Sequence, residues 1–221
     1  MSGTSALVVA AGSGKRFGGK KQFAYLRGKP VLEWTLEKFQ AHGEVDAVVL
    51  VLPDEDDMKH YRTRYGKVID TVRGGERRQD SVWQGFRLLD AAAPEVVLVH
   101  DGARPLVSLD LISRVISAAR AHGAAVPVLA IDDTVKEARD GRIFGTVDRT
   151  ALVRAQTPQG FRYDVLKKAL EGARRDRFYG TDEAGLVERE GIPVSAVEGD
   201  PRNIKITQPV DLAIAEALID A

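Results

Sequence analysis

The residues best suited to chemistry lie in the glycine-rich stretch from Ala6 to Phe23, ALVVAAGSGKRFGGKKQF. Glycines such as Gly12 and Gly14 allow backbone N–H groups to approach an anion, and the four nearby cations supply charge to a polyphosphate. An apolar run that leads straight into such a loop is the place where open α/β sheets bind ligands. The stretch therefore predicts a phosphate-binding loop, with a solvated surface turn as the alternative.

Two familiar phosphate loops fit this stretch poorly. The dinucleotide pattern G-x-G-x-x-G fails because Phe17 stands where the third glycine belongs. Gly14 to Lys20 reads G-x-x-x-x-G-K, but Lys21 replaces the Ser or Thr that binds magnesium in a P-loop. A P-loop phosphohydrolase remains an alternative.

Asp101 ends the apolar run VVLVHD and is the carboxylate expected nearest to that loop. A carboxylate at the carboxyl edge of a sheet can hold Mg²⁺, which neutralises phosphate charge. The alternative is a turn or helix-cap aspartate followed by Gly102. The four histidines show no metal-ligand spacing, and the chain has no cysteine, which excludes disulfides and thiolate sites.

Secondary-structure elements must hold these residues in place. Along the chain, apolar runs typical of strands alternate with segments whose apolar residues recur at helical spacing. Buried strands are predicted at Ala6–Ala10, Asp46–Leu52, Val96–His100 and Ala125–Ile131. Apolar residues at helical spacing lie between them, at Leu32/Leu36/Phe39, Val82/Phe86/Leu89 and Ile112/Val115/Ile116/Ala119. This alternation predicts an α/β fold: a mainly parallel, Rossmann-like sheet flanked by helices.

The segment Thr134 to Val147 departs from the alternation. Two short β-prone pieces flank Asp140-Gly141, a dipeptide suited to a type I′ hairpin turn. Its tip is charged and its apolar content is low. We expect an arm over residues 134–149 that projects and pairs with another subunit, with an ordinary surface hairpin as the alternative.

Composition limits the classes of function. With 221 residues, 44% of them hydrophobic, the chain can form one large core, so residues 1–221 are interpreted as a single domain. Lys plus Arg and Asp plus Glu balance at 32 each, which gives no electrostatic case for nucleic acid or an acidic membrane surface. No stretch approaches a membrane span, and a cytoplasmic protein is expected.

Short motifs along nearly the whole chain resemble the 2-C-methyl-D-erythritol 4-phosphate cytidylyltransferase family of the non-mevalonate isoprenoid pathway. The motifs occur in the family's order: AAGSGKRF with KQF, GGERRQDSV, VHDGARP, DDTVK, TVDR, QTPQGF, TDEA and VEGDPRNIKIT. The resemblance implies a nucleotidyltransferase in which an acceptor phosphate attacks the α-phosphorus of CTP and pyrophosphate leaves. It also implies Mg²⁺ or another divalent cation as cofactor and a homodimer.

The resemblance assigns roles in the phosphate loop. Arg16 and Lys21 match the catalytic arginine and lysine, and the backbone of Gly12 to Gly14 would hold the β- and γ-phosphates. The loop departs from the family's usual pattern, because Lys20 replaces a proline and the spacer after Arg16 is short. Whether Lys20 or Lys21 contacts the α-phosphate is therefore open, and Lys21 is favoured because Gln22-Phe23 follows it.

The nucleotide base is expected at a second glycine-containing turn, Gly75 to Ser81. Ser81 supplies a hydroxyl for cytosine, and Ala10, Ala11 and Gly75 line the approach. Asp80 and Ser81 could equally cap the following helix. Glu76 stands where the family more often has aspartate.

The resemblance also implies an acceptor site. Arg149 and Lys205 are the expected catalytic cations, which would hold the acceptor phosphate. The other expected substrate-binding residues are Asp101, Arg104, Thr134, Thr157 and Thr181. Asp101 is also the predicted metal ligand. A lysine in the strand-like run Asn203 to Thr207 is costly to bury without an anion. Thr181 could instead cap a helix. Because Thr134 and Arg149 flank the arm, they could serve the partner subunit's site.

The sequence thus predicts a magnesium-dependent cytidylyltransferase acting on CTP and a polyol phosphate. A sister enzyme that uses ribitol 5-phosphate or another polyol phosphate is the first alternative. A P-loop hydrolase and a non-catalytic CTP-binding module are the others.

Overall fold

The computed structural model describes residues 3–53 and 58–220. The strands of this part of the chain are β1 Thr4–Val9, β2 Tyr25–Leu26, β3 Lys29–Pro30, β4 Ala47–Leu52, β5 Val68–Arg73, β6 Val96–Asp101, β7 Ala124–Ala130, β8 Val135–Arg139, β9 Arg142–Val147, β10 Val153–Ala155, β11 Gln159–Arg162 and β12 Ser195–Glu198. The helices are α1 Val31–Ala41, α2 Met58–Arg64, α3 Arg78–Phe86, α4 Leu109–His122, α5 Tyr163–Arg175, α6 Glu183–Arg189 and α7 Pro209–Asp220, with single 3₁₀ turns at Lys21–Phe23 and Arg87–Leu89.

One large sheet organises the fold. Its strand order is β10-β7-β11-β6-β1-β4-β5, and β12 pairs with β7. Strands β6, β1, β4 and β5 run parallel, so their carboxyl ends meet at one edge, and Val9 at the end of β1 pairs with Asp101 at the end of β6. The predicted α/β class is confirmed. Strands β10 and β11 are antiparallel to their neighbours, which the sequence alternation did not predict.

Helices cover both faces of this sheet. Alternate residues of β1 point to opposite faces, as strand geometry requires. Ala6 and Val8 pack in a cluster with Phe39 of α1 and Ile112 of α4. Leu7 packs in a second cluster that includes side chains of α3, α5 and α6. The four predicted strands and three predicted helical segments all occur close to their expected bounds.

The predicted hairpin is confirmed as a separate two-stranded unit. Strands β8 and β9 pair only with each other within the described residues. Asp140 and Gly141 have φ values of 47° and 74°, the pair of positive angles that a type I′ turn needs. The unit exposes large apolar side chains, with Ile143 68% and Phe144 65% accessible. It is hereafter called the arm.

The strand expected at Asn203 to Thr207 is wrong. This segment is irregular, and Ile206 donates its backbone N–H to the carbonyl of Ala103 at 2.9 Å. The apolar alternation that suggested a strand instead buries Ile206 against Leu26, Val31 and Ala215 of α7. Among the described residues, no helix combines the length and apolar character needed to cross a membrane.

Candidate active site

A cavity of about 450 Å³ opens at the carboxyl edge of the parallel strands. The loop after β1 forms one wall and the turn between β5 and α3 forms the other. Cationic and anionic side chains close its end. The lining residues are Val9, Ala10, Ala11, Gly12, Ser13, Lys21, Gln22, Gly75, Glu76, Arg77, Arg78, Ser81, Asp101, Ala103 and Lys205.

The loop after β1 is shaped by Gly14. Its carbonyl accepts backbone N–H groups from Phe17 at 2.9 Å, Gly18 at 3.0 Å and Gly19 at 3.3 Å. Gly14 itself has φ +67°, and a β-carbon there would lie 1.7 Å from the carbonyl oxygen of Gly19. Gly14 therefore sets the shape of the loop without lining the cavity, so its role in the site is indirect.

Lys21 is the loop cation that lines the cavity. Burial lowers the pKa of its ammonium to about 8, with a further decrease from the nearby positive charge of Lys205 and a partial offset from Asp101. The charge of Arg16 also lowers the pKa of Lys21, so the exposed Arg16 lies within electrostatic range. Lys20 is not among the lining residues, which supports the interpretation of Lys21 as the α-phosphate ligand.

The opposite wall is a rigid turn. The Ser81 hydroxyl accepts the backbone N–H of Gly75 at 3.1 Å and donates to the carbonyl of Arg77 at 3.1 Å. The N-cap of α3 is Arg77, so Ser81 does not cap the helix, whereas Asp80 takes part in a capping box as the third residue of its first turn. Asp80 accepts the backbone N–H of Arg77 at 3.2 Å, which satisfies one free donor of the helix start.

Asp101 lies where the sequence predicted, at the end of β6 beside the loop. It is buried, and its two carboxylate oxygens accept from different cations: Arg78 Nε at 3.1 Å and Lys205 Nζ at 2.6 Å. Burial alone would raise the pKa of Asp101, but Arg78 and Lys205 hold it well below its usual range. Asp101 is therefore ionised at neutral pH, and its two cation contacts hold it in place.

Arg78 and Glu183 are site residues that sequence reasoning missed. The Arg78 guanidinium donates to both oxygens of Glu183 at 2.8 Å, and the Glu183 side chain is 1% exposed. Burial raises the pKa of Glu183, and the charge of Arg78 opposes that increase. The signals in the sequence are the motifs GGERRQDSV and TDEA, which contain Arg78 and Glu183.

A second cavity of about 500 Å³ shares Lys205 with the first. Arg104 also lines it, and this guanidinium donates to the carbonyl of Asn203 at 2.7 Å while its Nε lies 4.0 Å from Asp101. Arg154 and Asp132 lie in the same lining. A cation thus stands between two neighbouring cavities, the arrangement that a two-substrate reaction between anions needs.

Besides Gly14 and Arg16, four predicted residues line neither cavity: Thr134, Arg149, Thr157 and Thr181. Thr157 is buried behind Asp101, where its hydroxyl accepts the Asp101 backbone N–H at 3.1 Å. Thr181 is exposed, and Asp182, rather than Thr181, caps α6 by accepting from Gly185. Thr134 and Arg149 are exposed at the base of the arm.

His100 packs behind the site as a buried structural residue. It is fully buried, and its ring nitrogens contact the Arg104 carbonyl at 3.3 Å and the Thr157 hydroxyl at 3.2 Å. Burial lowers the pKa of His100 to about 3, so the ring is neutral.

Within the described ranges, no three His, Cys, Asp or Glu side chains are grouped as a metal site would require. Both Asp101 oxygens are bound by cations, so a metal ion that bound Asp101 directly would have to displace Arg78 or Lys205. The predicted metal role of Asp101 stays a prediction.

The family model described as IspD, 2-C-methyl-D-erythritol 4-phosphate cytidylyltransferase, matches residues 4–221. The chain belongs to this family. It is 44% identical to the Geobacter metallireducens 2-C-methyl-D-erythritol 4-phosphate cytidylyltransferase, covering 97% of this chain and 96% of that protein. The crystal structure of the Thermus thermophilus enzyme of that name is 39% identical with a TM-score of 0.82, covering 97% of this chain and 98% of that one.

A longer relative is also similar. The chain is 46% identical to the bifunctional enzyme IspD/IspF of Rhodospirillum rubrum over 99% of its own length, and it spans 57% of that protein. Family membership and the fold of the solved relatives agree with the architecture described above, and they favour the family's reaction over that of a ribitol-phosphate enzyme.

Proposed function

We propose that the chain joins CTP to 2-C-methyl-D-erythritol 4-phosphate, giving 4-diphosphocytidyl-2-C-methyl-D-erythritol and pyrophosphate. The observation that carries the proposal is Lys205 between two cavities, one walled by a phosphate-type loop and the other lined by Arg104. The protein's membership of the cytidylyltransferase family supports the identity of both substrates. We propose a cytoplasmic location, since the reaction consumes a nucleoside triphosphate.

CTP would occupy the first cavity. Cytosine presents an amino donor and the acceptors O2 and N3, which suit backbone groups of the turn at Gly75. The two hydrogen bonds of Ser81 hold that turn in place before the nucleotide arrives. The triphosphate would then lie along the backbone of Gly12, toward Lys21 and Arg16.

The reaction exchanges one P–O bond for another. A phosphate-monoester oxygen of the acceptor attacks the α-phosphorus, the bond to the bridging oxygen breaks, and pyrophosphate leaves with the electron pair. Because both reactants are anions, positioning and charge stabilisation dominate the catalysis. Lys21 and Arg16 would stabilise the α-phosphoryl oxygens, while Lys205 and Arg104 would orient the acceptor phosphate.

Magnesium is proposed to enter with the nucleotide. Mg²⁺ usually binds through phosphate oxygens and retained waters, with few protein ligands, and it neutralises phosphate charge. That mode fits a site whose nearest carboxylate, Asp101, already binds Arg78 and Lys205.

A homodimer is proposed from the arm. Ile143, Phe144 and Val147 present exposed apolar surface on a unit that lies outside the main sheet. Thr134 and Arg149 stand at its base and line neither cavity of their own chain. The pairing of two arms would bring these side chains to the acceptor site of the partner, so that each site is shared between subunits.

The deciding experiment measures pyrophosphate release from CTP and Mg²⁺ with methylerythritol phosphate, ribitol 5-phosphate or no acceptor. Release only with methylerythritol phosphate is expected. Release only with ribitol 5-phosphate would overturn the acceptor, and release without an acceptor would indicate hydrolysis. A parallel assay with EDTA tests the metal proposal, because turnover should stop and return with added Mg²⁺.

Replacing Arg16 separates an enzyme from a CTP-binding module. Arg16→Ala is expected to lower kcat by about 10²–10³-fold, since it removes one cation from the developing charge. Folding and CTP affinity should be largely kept, because the side chain is exposed. Unchanged turnover would contradict the assignment, and Lys15→Ala, one residue earlier, provides a comparison with an expected smaller effect.

A further inference from the structure

Arg78 joins three elements at the end of the first cavity. From the first turn of α3, its guanidinium reaches Asp101 at the end of β6 through Nε at 3.1 Å. Nη1 of the same group lies 2.8 Å from both oxygens of Glu183 at the start of α6. The planar fork of an arginine can satisfy two carboxylates at once, which a lysine cannot do in the same way.

The contacts form a row of alternating charges. Glu183 is buried and acidic, Arg78 is basic, Asp101 is buried and acidic, and Lys205 is basic, with its Nζ 2.6 Å from the second Asp101 oxygen. The outer end of this row, Lys205, faces both cavities. The inner end, Glu183, accepts two hydrogen bonds from Arg78.

An acceptor phosphate that binds Lys205 would weaken the contact of Lys205 with Asp101, because both anions draw on the same ammonium. A phosphate monoester competes with the carboxylate for the ammonium, and a buried carboxylate that loses its partner is costly. Arg78 Nε holds the other Asp101 oxygen at 3.1 Å, so it would keep this carboxylate paired if Lys205 turned away. Glu183 accepts from Arg78 through both of its oxygens, and this contact would keep the guanidinium from being drawn toward the nucleotide phosphates.

We propose that Arg78 is a positioning residue for the acceptor: held by Glu183, it keeps Asp101 in place while Lys205 passes from Asp101 to the acceptor phosphate. This inference rests on the proposed function. It assigns Arg78 an effect on acceptor binding, although its side chain lines the cavity assigned to CTP.

Three variants test this role. Arg78→Gln removes the cation and leaves Glu183 buried without a partner, so it should lower the thermal unfolding midpoint. Arg78→Gln with Glu183→Gln removes one charge of each sign and should recover that midpoint, since no unpaired charge remains inside. Arg78→Lys keeps the positive charge but loses the planar guanidinium. It tests the positioning role of Arg78 if neither of the other two variants folds.

The readouts are the acceptor KM, the CTP KM and kcat from pyrophosphate release. In all three variants the acceptor KM should rise roughly tenfold, the loss expected for a hydrogen bond between charged groups, while the CTP KM changes less than about twofold. A double variant or an Arg78→Lys variant with a normal acceptor KM would overturn the proposal, because the pair would then serve stability alone. An effect confined to the CTP KM would also overturn it.

A matched control lies at the opposite edge of the sheet. Arg120 contacts Glu44 at 2.7 Å and Glu95 at 3.3 Å near the amino ends of the strands. Arg120→Gln should leave both KM values unchanged. If the unaltered protein does not release pyrophosphate with methylerythritol phosphate, the proposed function fails; if it does and the variants behave like it, only the role of Arg78 fails.

Discussion

Lys21 is the residue through which the site should respond to pH. Its pKa of about 8 means that the ammonium is charged below that value and neutral above it. If the charged form stabilises the α-phosphate, kcat/KM for CTP should fall up to tenfold per pH unit above about pH 8, because kcat/KM reports the free enzyme.

The assignment of this pH dependence can be checked with Lys21→Gln. The variant should have a much lower kcat/KM and no decline centred near pH 8. The measurement is a pH profile from about 6.5 to 9.5 at constant ionic strength. A decline that persists in Lys21→Gln would assign the titration to another group.

A residue at the end of a strand was predictable, and residues that act through distant partners were not. Asp101 was found because it ends β6 and strand ends meet at one edge of a parallel sheet, whereas Lys21 was found through its match to the family's catalytic lysine. Arg78 was not, because its partner Glu183 lies 105 residues later. Nor could the sequence predict that Thr157 would be turned inward, behind Asp101, since that depends on the pairing of β6 with β11.

The loop after β1 is the element whose shape decides nucleotide binding. Gly14→Ala should raise the CTP KM by at least about tenfold, because a β-carbon 1.7 Å from the Gly19 carbonyl oxygen forces the loop to open, and the positive φ adds strain. The loop lies at the surface, so the unfolding midpoint should fall only slightly. Steady-state kinetics and thermal unfolding measure the two effects.

Gly43→Ala is the matched control for that variant. This glycine lies between α1 and β4, and a β-carbon there meets no atom within 4 Å. Its CTP KM should be unchanged. An unaltered CTP KM in Gly14→Ala would show that the loop tolerates another shape, and the phosphate-binding role of this loop would lose its structural basis.

Length and regularity account for only part of what was predictable among the elements, because the 13-residue α5, the 12-residue α7 and the 6-residue β5 were not predicted. Long apolar runs gave β1, β4, β6 and β7, and the Asp140-Gly141 turn gave the arm. Strands β10 to β12 span only three or four residues, so their sequence carries little periodicity. The segment Asn203 to Thr207 resembled a strand because its apolar and polar residues alternate. In the structure the segment is irregular, and Ile206 is buried against α7.

For the whole molecule, the arm predicts the assembly. Phe144→Asp replaces a ring that is 65% exposed in the single chain by a carboxylate. The arm pairing proposed above would bury this position, so the charge should oppose pairing. We expect a shift from dimer to monomer in analytical ultracentrifugation, with loss of turnover. Deletion of residues 136–142 should have the same effect.

Val210→Asp is the corresponding control, since Val210 is 59% exposed on α7 and no role is proposed for it. This variant should stay dimeric and active. A dimer that survives both the Phe144→Asp change and the deletion would show that the arm does not hold the subunits together. The interpretation of residues 1–221 as one domain remains a prediction at this scale.

The position of Arg149 at the base of the arm, outside the cavities of its own chain, has a genetic consequence. Two defective copies of the chain could complement one another, one carrying Arg16→Ala and the other Arg149→Ala. In a mixed dimer, one site would collect both defects and the other would be intact. Co-expression should therefore restore about one quarter of the normal number of working sites if subunits pair at random, whereas either copy alone stays inactive.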